Sequence, residues 1–266
     1  MGLTRSEGIV LKRHALGDTS RIVVAYTREH GLIKLVAKAA RKSPSRFGYA
    51  LEPLSRSRFI VYLKTDRDLH LLSQAEVLEP TGSRLADLAR LAHGQAALEL
   101  IDRLVWGEEP HAELFDLLAA TLCGIAAAPL ATLPALTLAL QLQVASLLGY
   151  RPRLDACAGC GAAFSPRRLF SAARGGLVCD RCAATEPGTI TLSADALGGL
   201  ALLLSRPVGE AGQWIALGEV RRAGEILRVV EAFLRQHFQR FQGLRSLEVL
   251  RSLPGPDATK DAPCPA

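Results

Sequence analysis

The sequence predicts an α+β multidomain protein. A small five-stranded closed β-barrel spans residues 1–80, an α-helical domain spans 81–252 with a four-cysteine insertion at 153–184, and a disordered tail spans 253–266. Three observations lead there. The apolar period is near two through the first 80 residues and near 3.6 after Gly82. Four clustered cysteines interrupt the helical pattern. Charge is unevenly divided: residues 1–80 hold 14 Lys+Arg against 8 Asp+Glu and the remainder holds 18 against 18, so the net +6 lies in the first module.

The barrel strands are read as short apolar-rich runs at 8–12, 20–27, 31–37, 56–63 and 69–75, separated by turn-forming segments such as Gly17-Asp18 and Glu29-His30-Gly31. In the third run Ile33, Leu35 and Ala37 share one face while Lys34, Val36 and Lys38 share the other. Beyond Gly82, the stripe Leu85, Leu88, Leu91, Leu98, Ile101 and Leu104 predicts a helix capped by Ser83. Residues 117–150 contain no charged side chain, which is long enough to test as a membrane span. Pro129 and Pro134 divide that stretch and no Lys or Arg lies between Arg103 and Arg151 to anchor it, so two buried helices, about 112–127 and 134–148, are expected. Ser193 is the expected cap of a helix ending before Pro207. Val220 to Phe241 predicts a longer one, with Arg221–Glu225 and Glu231–Arg235 as i,i+4 pairs and Gly243 as its end.

The cysteines read as two knuckles, Cys157-Ala-Gly-Cys160 and Cys179-Asp-Arg-Cys182, separated by eighteen residues. Each CxxC turn converges two thiolates, and four sulfurs at about 2.3 Å close a tetrahedral Zn²⁺ shell with no position left for water. That describes one structural zinc rather than a catalytic one. Two disulfides, an iron-sulfur cluster or a metal-free remnant are the competing readings. Disulfides suit a cytoplasmic chain poorly, and the charged residues interrupting the N-terminus give no signal-peptide pattern. Met1 to Ser6 fits the loose myristoylation pattern only as permissively as many chance sequences do.

Between His30 and Leu51 there is no acidic residue, while Lys34, Lys38, Arg41, Lys42 and Arg46 accumulate beside Phe47 and Tyr49. Cations interleaved with aromatics suit single-stranded nucleic acid, where phosphates are neutralised and bases stack. The pattern leaves open whether Phe47 and Tyr49 stack on bases or pack in the barrel. Arg56, Arg58 and Lys64 are candidate extensions of the patch. No GxxxxGK[ST], HExxH or GxSxG occurs, so no catalytic residues are assigned and a non-enzymatic protein is expected. Asp66 and Asp68 read as a hairpin turn.

Long ordered segments carry a resemblance to a family. GDTSRIVVAYTREHGLIKLVAKAARKSPSRFGYALEPL has a strand ending in a Thr-x-x-x-Gly turn, then a basic segment, then Leu-x-Pro. With LLGYRPRLDACAGCG, GGLVCDRC and LRSLEVLRSL, it resembles the bacterial recombination mediator family RecO along nearly the whole chain. The resemblance implies an N-terminal OB-fold, a helical body and a zinc-binding insertion. It also implies binding of ssDNA and dsDNA, strand annealing, contact with SSB, and action with RecR to load RecA, in the cytoplasm near the nucleoid and without a membrane. By position, its DNA face would include Lys34, Lys38, Arg41, Lys42 and Arg46. The family commonly has Gly where this chain has Ala39, and the stretch from Leu104 to Tyr150 has no Lys or Arg to offer SSB's acidic tail, so either that contact uses Arg103, Arg151 or the C-terminal helices, or SSB binding is weak here. The alternative is a zinc-ribbon regulator whose cysteine module contacts DNA through Arg167, Arg168 and Arg174.

Overall fold

The computed structural model describes residues 2–42, 45–63, 67–85, 87–163, 166–208 and 222–253. Strands β1 (Gly2–Leu16), β2 (Ser20–Thr27), β3 (Gly31–Ala37), β4 (Arg56–Leu63) and β5 (Leu69–Glu79) close a barrel in the order β1-β2-β3-β5-β4. Only β3 and β5 pair in parallel. This is the five-stranded OB arrangement. β2, β3 and β4 have the limits read from the sequence, whereas β1 and β5 run longer. Residues 2–9 of β1 lie against β4 and residues 8–16 against β2; residues 69–71 of β5 lie against β3 and residues 71–79 against β4. A strand shared between two neighbours turns its ends toward different surroundings, and a single alternating pattern cannot mark its length.

The alternation in β3 holds: Ile33, Leu35 and Ala37 are buried, and Lys34 and Lys38 are exposed. The interior is filled by Val10, Val23, Ile33, Leu35, Phe59 and Leu72, and the β3–β4 connection with its 3-10 turn at Gly48–Leu51 adds Phe47 and Leu51.

Among the described residues the helices are α1 (Thr81–Arg84), α2 (Leu88–Leu104), α3 (Ala112–Ala127), α4 (Leu133–Leu147), α5 (Asp180–Ala183), α6 (Ala194–Ser205), α7 (Ala223–His237) and α8 (Arg245–Ser252). Asp87, not Ser83, caps α2, its Oδ1 accepting from the Arg90 amide at 2.8 Å. Leu88 and Leu91, expected on the buried stripe, are 56% and 40% exposed. The buried face runs instead through Ala92, Ala96, Ala97 and Leu100 together with Leu98, Ile101 and Leu104, because small alanines let neighbouring helices approach and a count of large residues misses them. Ser193 does cap α6, accepting from the Ala196 amide at 3.2 Å. α7 ends at His237, six residues before Gly243, and Phe241 is buried from the loop that follows. Glu231 and Arg235 lie 4.0 Å apart as expected; Val220 and Arg221 fall outside the described residues, as does the tail from 254.

The uncharged stretch resolves into α3 and α4. By length and composition, residues 130–147 could cross a membrane, with mean hydropathy 1.5, but 67% of that window is buried within the protein. α4 is the central helix, in contact with α2, α3, α6 and α7. Its polar groups are satisfied internally: Gln143 Nε2 donates to the carbonyls of Leu203 and Arg206, both at 2.8 Å.

The barrel is docked on this body through a shared core, where Ile9, Leu11, Tyr26 and Leu54 join the cluster built from the helices. Around it the Leu32 amide donates to the Gly107 carbonyl at 3.1 Å, and Lys12 Nζ lies 2.7 Å from Asp102. Arg28 forks onto Asp116, and His70 Nε2 lies 2.7 Å from Glu108. Burial pushes the Tyr26 hydroxyl up to about 12.

A buried histidine makes the body acid-sensitive. His93 on α2 has Nδ1 2.7 Å from Thr137 Oγ1, whose own proton is directed to the Leu133 carbonyl at 3.2 Å, so Nδ1–H donates. Desolvation lowers its pKa to about 4 from an ordinary 6.5. The unfolded chain therefore takes up a proton that the folded chain refuses between those values. Stability is full above about pH 6.5 and falls as pH drops toward 4, by at most about 3 kcal/mol. Urea denaturation across this range is expected to show that decline, and His93→Gln to flatten it.

Candidate nucleic-acid interface and metal centre

The basic segment leaves β3 and turns back on itself at residues 38–42. The Arg41 amide donates to the Thr19 carbonyl at 2.9 Å, the Arg41 Nη1 to the Gly17 carbonyl at 2.7 Å, and the Lys42 amide to the Ala39 carbonyl at 3.2 Å. These bonds pin the turn to the β1–β2 hairpin. Ala39 pivots it with φ +59°, a left-handed conformation in which Cβ crowds the following carbonyl. Glycine would hold that conformation without the crowding.

Lys34, Lys38, Arg41, Lys42 and Arg46 are all exposed. Among the described residues none of them pairs with a carboxylate. Through the parallel β3–β5 seam, Lys38 also shares a cleft of about 370 Å³ with exposed Arg67, a cation absent from the patch read from the sequence. Of the two aromatic positions left open, Phe47 is 4% exposed and packs in the barrel, with the Arg46 guanidinium 4.5 Å over its ring. Phe47 is therefore a core residue and not a stacking platform. Tyr49 is 78% exposed beside it.

Arg56 and Arg58 do not extend this patch. Arg56 contacts Glu7 and lies 3.6 Å from Glu79, while Arg58 lies 2.9 Å from Glu76. The register explains why: Arg58 sits opposite Glu76 and Lys34 opposite Leu69, seven positions apart along β5, or about 20 Å. Shared strand parity gave the facing direction but not the position along the barrel or the carboxylates waiting there. Lys64 and Asp66 lie outside the described residues.

The four cysteines are brought together by a small sheet of β6 (Leu169–Ser171), β7 (Gly176–Val178) and β8 (Ile190–Thr191), ordered β7-β6-β8. The first knuckle folds by donation from the Gly161 amide to the Cys157 carbonyl at 2.8 Å, and the Ala158 amide ties it to Leu177 of β7 at 2.7 Å. Cys179 and Cys182 begin α5. A Cβ at Gly159 would stand 3.0 Å from the Cys182 sulfur, so a small residue is required there.

All four sulfurs lie within 4.8 Å of one another, and those of Cys160 and Cys179 are 3.8 Å apart. A tetrahedron with metal–sulfur bonds of about 2.3 Å has edges of about 3.8 Å, so the donor set fits a four-coordinate thiophilic ion. Hydrogen bonding from the Cys179 amide lowers the Cys157 thiol to about 6, whereas sharing protons with the other three sulfurs raises Cys182 to about 12. Four thiolates this close cannot all ionise without a cation among them. The module's arginines are largely committed: Arg174 to Glu186, Arg153 to Asp155 and Arg167 to Asp180.

One surface residue escaped the sequence reading altogether. Trp106, between α2 and α3, is 73% exposed. A tryptophan followed by Gly-Glu-Glu-Pro, in the polar break between two helical patterns, was the available signal.

A closed OB barrel with a cationic rim, docked on a helical body that carries four cysteines close enough to hold a metal ion, defines the class of OB-barrel proteins built on a helical scaffold with a cysteine cluster. Similarity makes it specific. Residues 1–81 match the family described as Recombination protein O N terminal, and residues 85–248 match Recombination protein O C terminal. The DNA repair protein RecO of Streptomyces griseus is 37% identical over 256 residues, covering 93% of this chain and 98% of the relative. That of Anaeromyxobacter dehalogenans is 37% identical over 249 residues, covering 90% and 93%, and that of Pelotomaculum thermopropionicum is 32% identical over 240 residues, covering 90% and 91%. The chain belongs to the RecO family of DNA repair proteins, and its role is in DNA repair and recombination.

Two measurements check this geometry. Metal analysis of the purified chain is expected to find one bound ion, which Cys157→Ser loses together with several degrees of thermal stability. Ala39→Gly is expected to stabilise the chain by about 1 kcal/mol in urea denaturation, since relief of left-handed strain exceeds glycine's extra entropy.

Proposed function

We propose that this chain is a non-enzymatic recombination mediator. Its barrel binds ssDNA and dsDNA, it promotes annealing of complementary strands, and with RecR it helps load RecA onto DNA coated by SSB. The observation that carries this reading is the rim of Lys34, Lys38, Arg41, Lys42 and Arg46, exposed and free of carboxylate partners on an OB barrel. Exposed cations without intramolecular partners are the ones available to displace counterions from phosphate, and two strands held near one such rim repel each other less and can sample pairing.

The ion in the cysteine centre is zinc in this reading, and it is structural: four protein sulfurs leave no site for a reactive water. Its ion-paired arginines make the cysteine module a weaker DNA reader than the barrel, so the regulator alternative gains no support. For SSB's acidic tail, Arg103 is committed to Glu99 and the Gly243 carbonyl. Arg151 is exposed in a cleft with Leu117, Leu147 and Pro207, and supplies the cation there. The protein acts in the cytoplasm, at the nucleoid.

Affinity for single-stranded DNA is expected to fall steeply with salt. Reversing Lys34, Lys38, Arg41 and Lys42 to Glu should reduce the slope of log affinity against log salt by about 3, the loss of four phosphate contacts on a single strand. An unchanged slope moves the site off the barrel.

A further inference from the structure

The rim does not end at the barrel. Lys34 lines a cleft of about 420 Å³ with Trp106 and Arg240, and Trp106 and Arg240 also line a second cleft, of about 490 Å³, with Tyr150 and His237. Trp106 and Arg240 thus belong to both, so the two clefts are neighbours that share these side chains, one reaching Lys34 of β3 and the other Tyr150 and His237 on the helical body.

The residues along these two clefts form a platform. The Arg240 guanidinium lies 5.9 Å from the centre of the Trp106 ring, and Arg240 has no carboxylate partner among the described residues. Tyr150, 42% exposed, is braced from behind by Phe238 with ring centres 4.9 Å apart and by His237 at 5.2 Å, so its orientation is held before any ligand arrives. Trp106 is positioned by its neighbour, since the Gly107 carbonyl accepts from the Leu32 amide. Of the four acidic groups lining the clefts, Asp102 pairs with Lys12 and Glu108 with His70. Asp68 and Glu109 remain, one in each cleft.

We infer that Trp106, Arg240 and Tyr150 form a base-stacking subsite for single-stranded nucleic acid that continues the barrel's phosphate path onto the helical body. The inference rests on the DNA-binding reading of the barrel and adds to it a separate stacking contribution. Flat π-faces with a cation beside them accept any base, whereas phosphates are held by the rim. An exposed tryptophan on a rigid loop loses little freedom when a base covers it. An acidic peptide is the competing occupant; the 73% exposed Trp106 ring, a surface that a base can cover and a carboxylate cannot, favours the nucleic acid.

The test uses the full chain. The sequence contains two tryptophans, Trp106 and Trp214, so Trp214→Phe leaves Trp106 as the sole emitter. Oligothymidylate is expected to quench that emission, and an abasic oligonucleotide of equal length and charge to leave it nearly unchanged. Trp106→Ala should weaken oligothymidylate binding about 5- to 150-fold, the loss of one stacked base, with the salt slope preserved and Trp106→Phe restoring part of the affinity. Because Trp106 is exposed, its variants should melt as the parent does, and a melting curve confirms folding. Equal quenching by the abasic strand, quenching by oligoglutamate but not by oligothymidylate, or wild-type affinity in Trp106→Ala overturns the inference. In those cases a charge-reversed rim that still loses binding leaves the barrel reading standing. A charge-reversed rim that binds normally removes the barrel reading and the path on which the subsite depends.

Discussion

The close approach of the β2–β3 turn to the loop after α2 is the contact on which the rest of the surface depends. Gly31 adopts φ +59° there, and a Cβ would stand well inside van der Waals contact with the Glu109 carbonyl oxygen. Any side chain would push the barrel off the body. With glycine in place, the Leu32 amide reaches Gly107, Tyr26 enters the shared core, and its hydroxyl donates to the His111 carbonyl at 3.3 Å. The barrel is held by backbone and core rather than by charge alone. The ion pairs Lys12–Asp102 and Arg28–Asp116 then fix rotation about that contact, and exposed pairs of this kind add little stability of their own.

The cysteine module depends on the same body through a different contact. Phe170 of β6 packs edge-on against Phe233 of α7 with ring centres 6.4 Å apart, and the His237 ring meets the Ala172 carbonyl at 3.0 Å. Gly176 lets β7 lie against Arg153, whose carbonyl oxygen would overlap any Cβ at that position. A three-stranded sheet with strands of two or three residues is too small to persist unaided; α7 supports its near end, and a metal held by the four cysteines would close the far one. Burial thus positions the side chains that carry the knuckles, a bound metal would position them a second time, and His237 links this support to the Tyr150 platform.

Local pattern made much of this legible. β2, β3 and β4, the limits of α3 and α4 within a residue or so, the α6 cap and the converging cysteines all follow from periods, turns and spacings contained in short windows. What escaped depends on residues distant in sequence. Phe47 and Tyr49 are two positions apart, yet one fills the barrel end and the other faces solvent, because a 3-10 turn breaks the strand parity between them. Arg56 and Arg58 looked like continuations of a basic run until the β4–β5 register set Glu79 and Glu76 against them. Trp106 was invisible to a search for charge because its significance arises only when β3 and the loop after α7 are folded beside it.

That sorting of charge also explains how a modest net excess becomes a directed surface. Within the barrel, Lys12, Arg13, Arg21, Arg28, Arg56 and Arg58 each meet a carboxylate, most of them on a neighbouring strand or on the body. Pairing removes these cations from the outward field, and the unpaired ones remain concentrated between β3 and the 3-10 turn. The net charge of +6 in composition therefore understates the local field at the rim and overstates it elsewhere. An open rim, unlike an enclosed channel, would leave the far side of a strand with its pairing edges accessible to a complement, which is the geometry the proposed annealing requires.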